Sequence, residues 1–124
     1  MYSDTVIDHF MSPRNAWQMP DADGIGTIGE PDCGDHCMMF IKIRKEIIHE
    51  ISFLIFGCGA AVASGSMTTV LAKGKSIKEA LELTEQDIIN GLDGLPEGKQ
   101  HCSNLGVAAL QAAIKDYLAK QGES

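Results

Sequence analysis

The spacing of apolar positions changes along the chain, and each change marks a predicted element. Between Cys37 and Phe56 the apolar positions alternate, with Met39, Ile41 and Ile43 on one face and Ile51, Phe53 and Ile55 in phase after a turn near Arg44-Lys45-Glu46. Period two in β-branched and aromatic residues predicts two antiparallel strands. Leu54 and Phe56 take the opposite parity, so the second strand is expected to be covered on both faces toward its end. Upstream, Val6, Ile7 and Phe10 recur at helical spacing in a helix from Ser3 to Met11, which Ser3 can cap and Ser12-Pro13-Arg14-Asn15 ends. From there to Cys33, Pro13, Pro20, Gly24, Gly26, Gly29 and Pro31 predict loop with at most one short strand around Gly24–Gly29. Residues 1–32 are therefore expected to be the most mobile part.

After Gly57 the alternation stops. Ala60 to Lys73 is rich in Ala, Ser, Met and Leu, free of Pro, and closed by Lys73-Gly74-Lys75 in the manner of a helix C-cap. Ser76–Leu83 and Glu85–Leu92 read as two short helices, the first with Ser76 and Glu79 at capping-box spacing. A last helix runs from about Cys102 to Lys120 on the stripe Val107, Leu110, Ile114 and Tyr117/Leu118. Strands first and helices afterwards predict an α+β fold, a small antiparallel sheet packed against helices with a long C-terminal helix.

Composition narrows the function. The 124 residues, 44% apolar, suit a single domain spanning 1–124. No stretch approaches a membrane span and the N-terminus lacks the layout of a secretion signal, so a cytoplasmic protein is expected. A net charge of −7 argues against nucleic acid as a partner, because its binders gain affinity through Lys and Arg. Four cysteines are too few for a disulfide scaffold and are expected to be thiols.

Those thiols sit in three suggestive places. Pro31-Asp32-Cys33-Gly34-Asp35-His36-Cys37 gathers ligand-type side chains in a turn where Gly34 lets thiolate and carboxylate converge. Phe56-Gly57-Cys58-Gly59-Ala60-Ala61 places a cysteine between glycines where strand becomes helix, near backbone N–H groups that favour thiolate. Lys99-Gln100-His101-Cys102-Ser103-Asn104 places another at a predicted helix start, with His101 able to ligate or move a proton and Lys99 able to lower the thiol pKa. Thiolates select zinc, cuprous copper or iron–sulfur clusters. Only Cys33 and Cys37 have zinc-knuckle spacing, whereas a cluster held by three thiolates plus Asp35 or His101 would be held loosely.

Pro-Asp-Cys-Gly-Asp at 31–35, Phe-Gly-Cys-Gly-Ala-Ala at 56–61 and His-Cys-Ser at 101–103 resemble the signatures of NifU/IscU-type iron–sulfur cluster assembly scaffolds. Asp8-His9-Phe10, Pro13-Arg14-Asn15, Lys73-Gly74-Lys75-Ser76 and Asp87-Ile88 extend the resemblance over nearly the whole chain. It implies a labile [2Fe–2S] cluster built from iron and from sulfur supplied by a cysteine desulfurase, then passed to recipient apo-proteins. Cys33, Cys58 and Cys102 take the family's cysteine positions, Asp35 its modulating aspartate and His101 its site histidine. Cys102, beside His101 and Lys99, is the expected sulfur acceptor.

Some positions depart from that pattern. Leu95-Pro96-Glu97-Gly98-Lys99 replaces the Leu-Pro-Pro-Val-Lys of IscU-type members, so dependence on a dedicated Hsp70-type chaperone is not expected. Cys37 is extra, and a role as strand residue, fourth ligand or sulfur acceptor stays open, as does a homodimer bridged by the cluster. Trp17 is expected to pack the N-terminal loop, His36 and His49 to be surface or strand residues, and Met38, Met39 and Met67 to be core. The alternatives to the scaffold are a zinc-binding protein or persulfide acceptor using the same residues, and a cysteine-based enzyme. Zinc in an as-isolated protein would not exclude the scaffold, since Cys/Asp/His donors suit it.

Overall fold

The computed structural model describes residues 2–29 and 36–122. Helix α1 (Asp4–Met11) is followed by strands β1 (Gly24–Gly29), β2 (His36–Arg44) and β3 (Ile47–Phe56), then by helices α2 (Gly59–Ala72), α3 (Ile77–Leu81) and α4 (Glu85–Gly91). A 3-10 helix, Glu97–Cys102, leads into the long α5 (Ser103–Gly122). The strands form one antiparallel sheet in the order β1-β2-β3. This is the α+β arrangement expected.

Register explains the alternation. Cys37, Met39 and Ile41 lie opposite Ile55, Phe53 and Ile51 on β3, and opposite Ile28, Gly26 and Gly24 on β1. This face meets the helices. Ala109, Leu110, Ala113 and Ile114 of α5 join its core. The approach is so close that a Cβ on Gly26 would run into the backbone of Ala109 and Ala113, leaving no soft group to yield. Asp116 adds a polar tie by accepting the Ile25 N–H at 2.9 Å. The β2–β3 turn uses Lys45 and Glu46, both at positive φ (54° and 67°), the conformation that matches the twist of a two-residue hairpin.

The segment between α1 and β1 crosses from one sheet edge to the other. Asn15 accepts the Phe53 N–H at the β3 edge, and Asp23 donates its N–H to Ile41 and accepts the Ile43 N–H through its carboxylate. Phe40 and Ser52, paired on the face opposite to Met39 and Phe53, are buried as well. Met19 is enclosed, while Trp17 is 44% exposed.

Helix α1 forms with Ser3 as its cap, as expected, whereas the coverage expected at the end of β3 does not. In α1, Val6 is buried but Ile7 and Phe10 are about half exposed, and His9 occupies the inward position instead. At the end of β3, Phe56 is 70% exposed. Coverage on both faces occurs in mid-strand, at Ile51, Ser52 and Phe53, and stops where the sheet gives way to the helix starts.

Helix α2 is buried almost all round, including Ser64, Ser66, Thr68 and Thr69. Their hydroxyls are satisfied. Ser64 and Thr68 donate to the carbonyls four residues earlier, and Thr69 donates to Ser66 O. Gly74 ends the helix at φ +85°, and the Ser76/Glu79 capping box forms. A second box, Thr84/Asp87, starts α4. Helix α3 is shorter than expected, stopping at Leu81.

Candidate functional site

Strand β3 delivers Cys58 to the start of α2, and the 3-10 helix delivers Cys102 to the start of α5. The two helices set off from the same end and press together where Gly106 faces α2: a Cβ there would stand 2.5 Å from Thr68 Oγ1 and 3.4 Å from Gly65 Cα. As a result, residues 44 positions apart have Sγ atoms 3.7 Å from each other. Cys102 is 3% exposed and belongs to the core formed with Val6, Ala60, Leu92, Leu95 and Val107. Cys58 is half-buried at its edge.

The surroundings favour charge on Cys58. Partial burial opposes the thiolate, but the Ala61 amide, the Cys102 thiol, the Ala60 amide and the Lys99 ammonium together outweigh it and hold this thiol below its ordinary value. Cys58 is the N-cap residue of α2 and lies at the positive end of its dipole. Lys99 belongs to the 3-10 helix, its N–H held by Pro96 O at 2.8 Å.

Cys37 lies elsewhere. It is fully buried in β2, in phase with Met39 and Ile41, and burial pushes its thiol up to about 12. Next to it, His36 stacks obliquely on Phe56 with ring centroids 6.1 Å apart, and His49 is exposed on β3. Met39 and Met67 are core, and Met38 is half-buried on the opposite face from Met39.

Of the other expected site residues, Cys33 and Asp35 lie outside the described residues, as does the side chain of His101, whose backbone falls in the 3-10 helix. Among the described residues, accordingly, no three His, Cys, Asp or Glu side chains gather to hold a metal. An open cleft of about 550 Å³ between α4 and α5 is lined by residues such as Thr84, Glu85, Gln86 and Asn104 and by none of the cysteines. Among the described residues no helix is long and apolar enough to cross a membrane.

Two features around the thiols escaped the sequence reading. One is an apolar rim formed by Phe56 and by Phe10, whose ring lies 3.3 Å from where a Cβ on Gly59 would stand. The other is a polar latch that fixes residues 9–15 to α2. Ser66 Oγ accepts the Arg14 N–H at 2.9 Å and lies 2.7 Å from His9 Nδ1, and Asn15 donates to Thr69 Oγ1 at 3.0 Å. Burial, then Arg14, holds the His9 pKa below its ordinary value despite Asp8, so the neutral ring is favoured. The motif Asp8-His9-Phe10 was a signal for the latch; its partners on α2 carried none.

The chain is 51% identical over 123 residues to the iron-sulfur cluster assembly scaffold protein IscU 1 of Archaeoglobus fulgidus, covering 99% of this chain and 80% of that protein. It is 50% identical to the IscU scaffold protein of Aquifex aeolicus, covering 98% and 78%. Among solved structures, the N-terminal part of a nitrogen-fixing NifU-like protein from Brucella abortus superposes with a TM-score of 0.73 at 15% identity, covering 95% of this chain and 94% of that one, a likeness of fold. The model of the NifU-like N terminal domain matches residues 1–124, and the chain belongs to that family.

Proposed function

We propose that this chain is a non-enzymatic scaffold on which a labile [2Fe–2S] cluster is assembled as cargo, from iron and from sulfur delivered by a cysteine desulfurase, and then released to recipient apo-proteins. The observation that carries the proposal is the Cys58–Cys102 pair, with sulfurs 3.7 Å apart at two helix starts, in a chain half identical to proteins named as such scaffolds. Two thiolates at that spacing can bind one metal centre together, and soft sulfur donors select iron–sulfur chemistry or zinc over hard cations.

Cys33 completes the thiolate set, Asp35 and His101 supply the remaining donors, and Cys102 accepts sulfur. A carboxylate is a harder and weaker donor than thiolate toward an iron–sulfur centre, which suits a cluster meant to leave. Cys37 is outside this set because its enclosed thiol resists ionisation. The exposed rim of Phe10 and Phe56 gives a sulfur donor or recipient an apolar surface beside Cys58.

Anaerobic reconstitution with ferrous iron, cysteine and a desulfurase tests the reading. Visible charge-transfer absorption that chelators remove, and that moves to an apo-ferredoxin on mixing, is the expected result. Zinc that iron and sulfide cannot displace would instead support a zinc protein. Asp35→Ala should lengthen the lifetime of the assembled cluster; equal lifetimes in variant and parent would refute the part given to Asp35.

A further inference from the structure

Sulfur arriving from a persulfide is two electrons more oxidised than the sulfide a cluster contains. Something must reduce it. Cys58 and Cys102 form a dithiol at the site where sulfur would be received, and their 3.7 Å separation needs about 1.7 Å of approach to reach a disulfide bond of about 2.05 Å. Gly57 and Gly59 on either side of Cys58 carry no side chain to obstruct that approach. Cys58, half-buried at the edge of the core that holds Cys102, already touches it. An internal nucleophile held in contact acts at an effective concentration far above that of a dissolved one.

We propose that the Cys58–Cys102 pair is a built-in reductant for sulfane sulfur: a persulfide on either thiol is cleaved by the other, releasing sulfide and leaving a Cys58–Cys102 disulfide. The inference deepens the scaffold reading and rests on it. With sulfur on Cys102, Sγ of Cys58 attacks Sγ of Cys102, the Sγ–Sγ bond forms and the bond to the outer sulfur breaks. The outer sulfur leaves as HS⁻, carrying the electron pair of the broken bond and the persulfide's own proton, while the Cys58 proton passes to solvent. Sulfane sulfur gains two electrons and each cysteine sulfur loses one, so no further reductant enters the step. Each chain supplies one sulfide before a dithiol reductant must reopen the pair. Cys37 takes no part, enclosed as it is in β2.

The test uses the full chain carrying Cys33→Ser, metal-free and freed of reductant, with glutathione persulfide as the probe. The protein is loaded anaerobically, desalted rapidly to remove the probe, and followed by intact mass, peptide mapping and a sulfide assay. The expected result is a form carrying one added sulfur that decays to a form two hydrogens lighter than the start, with one sulfide released per chain and the bridge mapped to Cys58 and Cys102. Added Cys58→Ser should retain the sulfur until an external dithiol is supplied; Cys102→Ser should do the same, and Cys58→Ser alone carries the comparison if the buried site does not tolerate the second change. Sulfur that persists in the pair as long as in the single-thiol variants, or sulfide without the mapped bridge, overturns the inference. Failure of every form to take up sulfur overturns the acceptor reading, and this inference with it.

Discussion

Cys37 and Cys58 are the same residue type in neighbouring parts of one fold, yet they have opposite chemistry. Cys37 lies inside the β2 ladder, wholly enclosed, and burial alone drives its thiol up to about 12. Cys58 lies where β3 becomes α2, half open, with helix-start amides, the Cys102 thiol and Lys99 overcoming its partial burial. Strand position uses sulfur as a small hydrophobe. Junction position leaves it able to ionise and to meet a second sulfur. The contrast teaches that the reactive end of this molecule is made by where elements start, through amides, a turn lysine and the absence of covering side chains.

Thiol reactivity gives the largest expected difference. With the Cys37 thiol near 12, its thiolate population at neutral pH is about a thousandfold below that of an ordinary thiol, before enclosure slows it further. Iodoacetamide at neutral pH, followed by peptide mapping, should label Cys58 early and Cys37 only on unfolding. Comparable rates would break the comparison.

A stability measurement sharpens the same contrast. Cys37→Ser places a hydroxyl in the apolar core between Ile28 and Ile55, its cross-strand partners, and should cost about 1–3 kcal/mol in urea unfolding. Cys58→Ser, at a half-open N-cap where serine is favoured, should change stability by less than about 1 kcal/mol. The reverse order would mean that the two environments have been misassigned.

A smaller effect is expected at the latch beside the thiols. His9 faces Ser66 on α2, Asp8 on its own helix and Arg14 after it, and its folded pKa lies below the unfolded value. The unfolded chain therefore binds the proton more readily. The stability contributed by neutral His9 is complete above the ordinary histidine pKa of about 6.5 and is lost progressively as pH falls below it toward the lowered folded value. His9→Gln should flatten the melting temperature between about pH 7.5 and 5.5 relative to the parent; identical slopes would remove His9 as the cause.

Much of this was legible in the sequence, and unevenly so. Period two placed β2 and β3 and their turn, and Ser76 with Glu79 announced a capping box that forms, because those signals depend on neighbours in the chain. The same alternation places Cys37 in phase with Met39 and Ile41, yet its role stayed open, because spacing alone does not separate a strand thiol from a ligand. Exposure of Phe56 was not legible, since it depends on where helices stop covering the sheet, nor was that of Ile7 and Phe10, which depends on which face of α1 meets α2. Nor were the buried hydroxyls of α2, which lie on a helix enclosed all round and so leave no stripe. The Cys58–Cys102 contact depends on the close packing of α2 and α5 at Gly106, a tertiary fact that spacing alone does not encode.

The central claim, that the junction thiols and not the strand thiol build the cluster, is tested most directly by reconstituting Cys58→Ser and Cys37→Ser side by side with ferrous iron, cysteine and a desulfurase, and reading the visible charge-transfer band per folded chain. The account predicts that Cys37→Ser keeps the parent's band while Cys58→Ser loses it. A band that survives in Cys58→Ser and disappears in Cys37→Ser would contradict it.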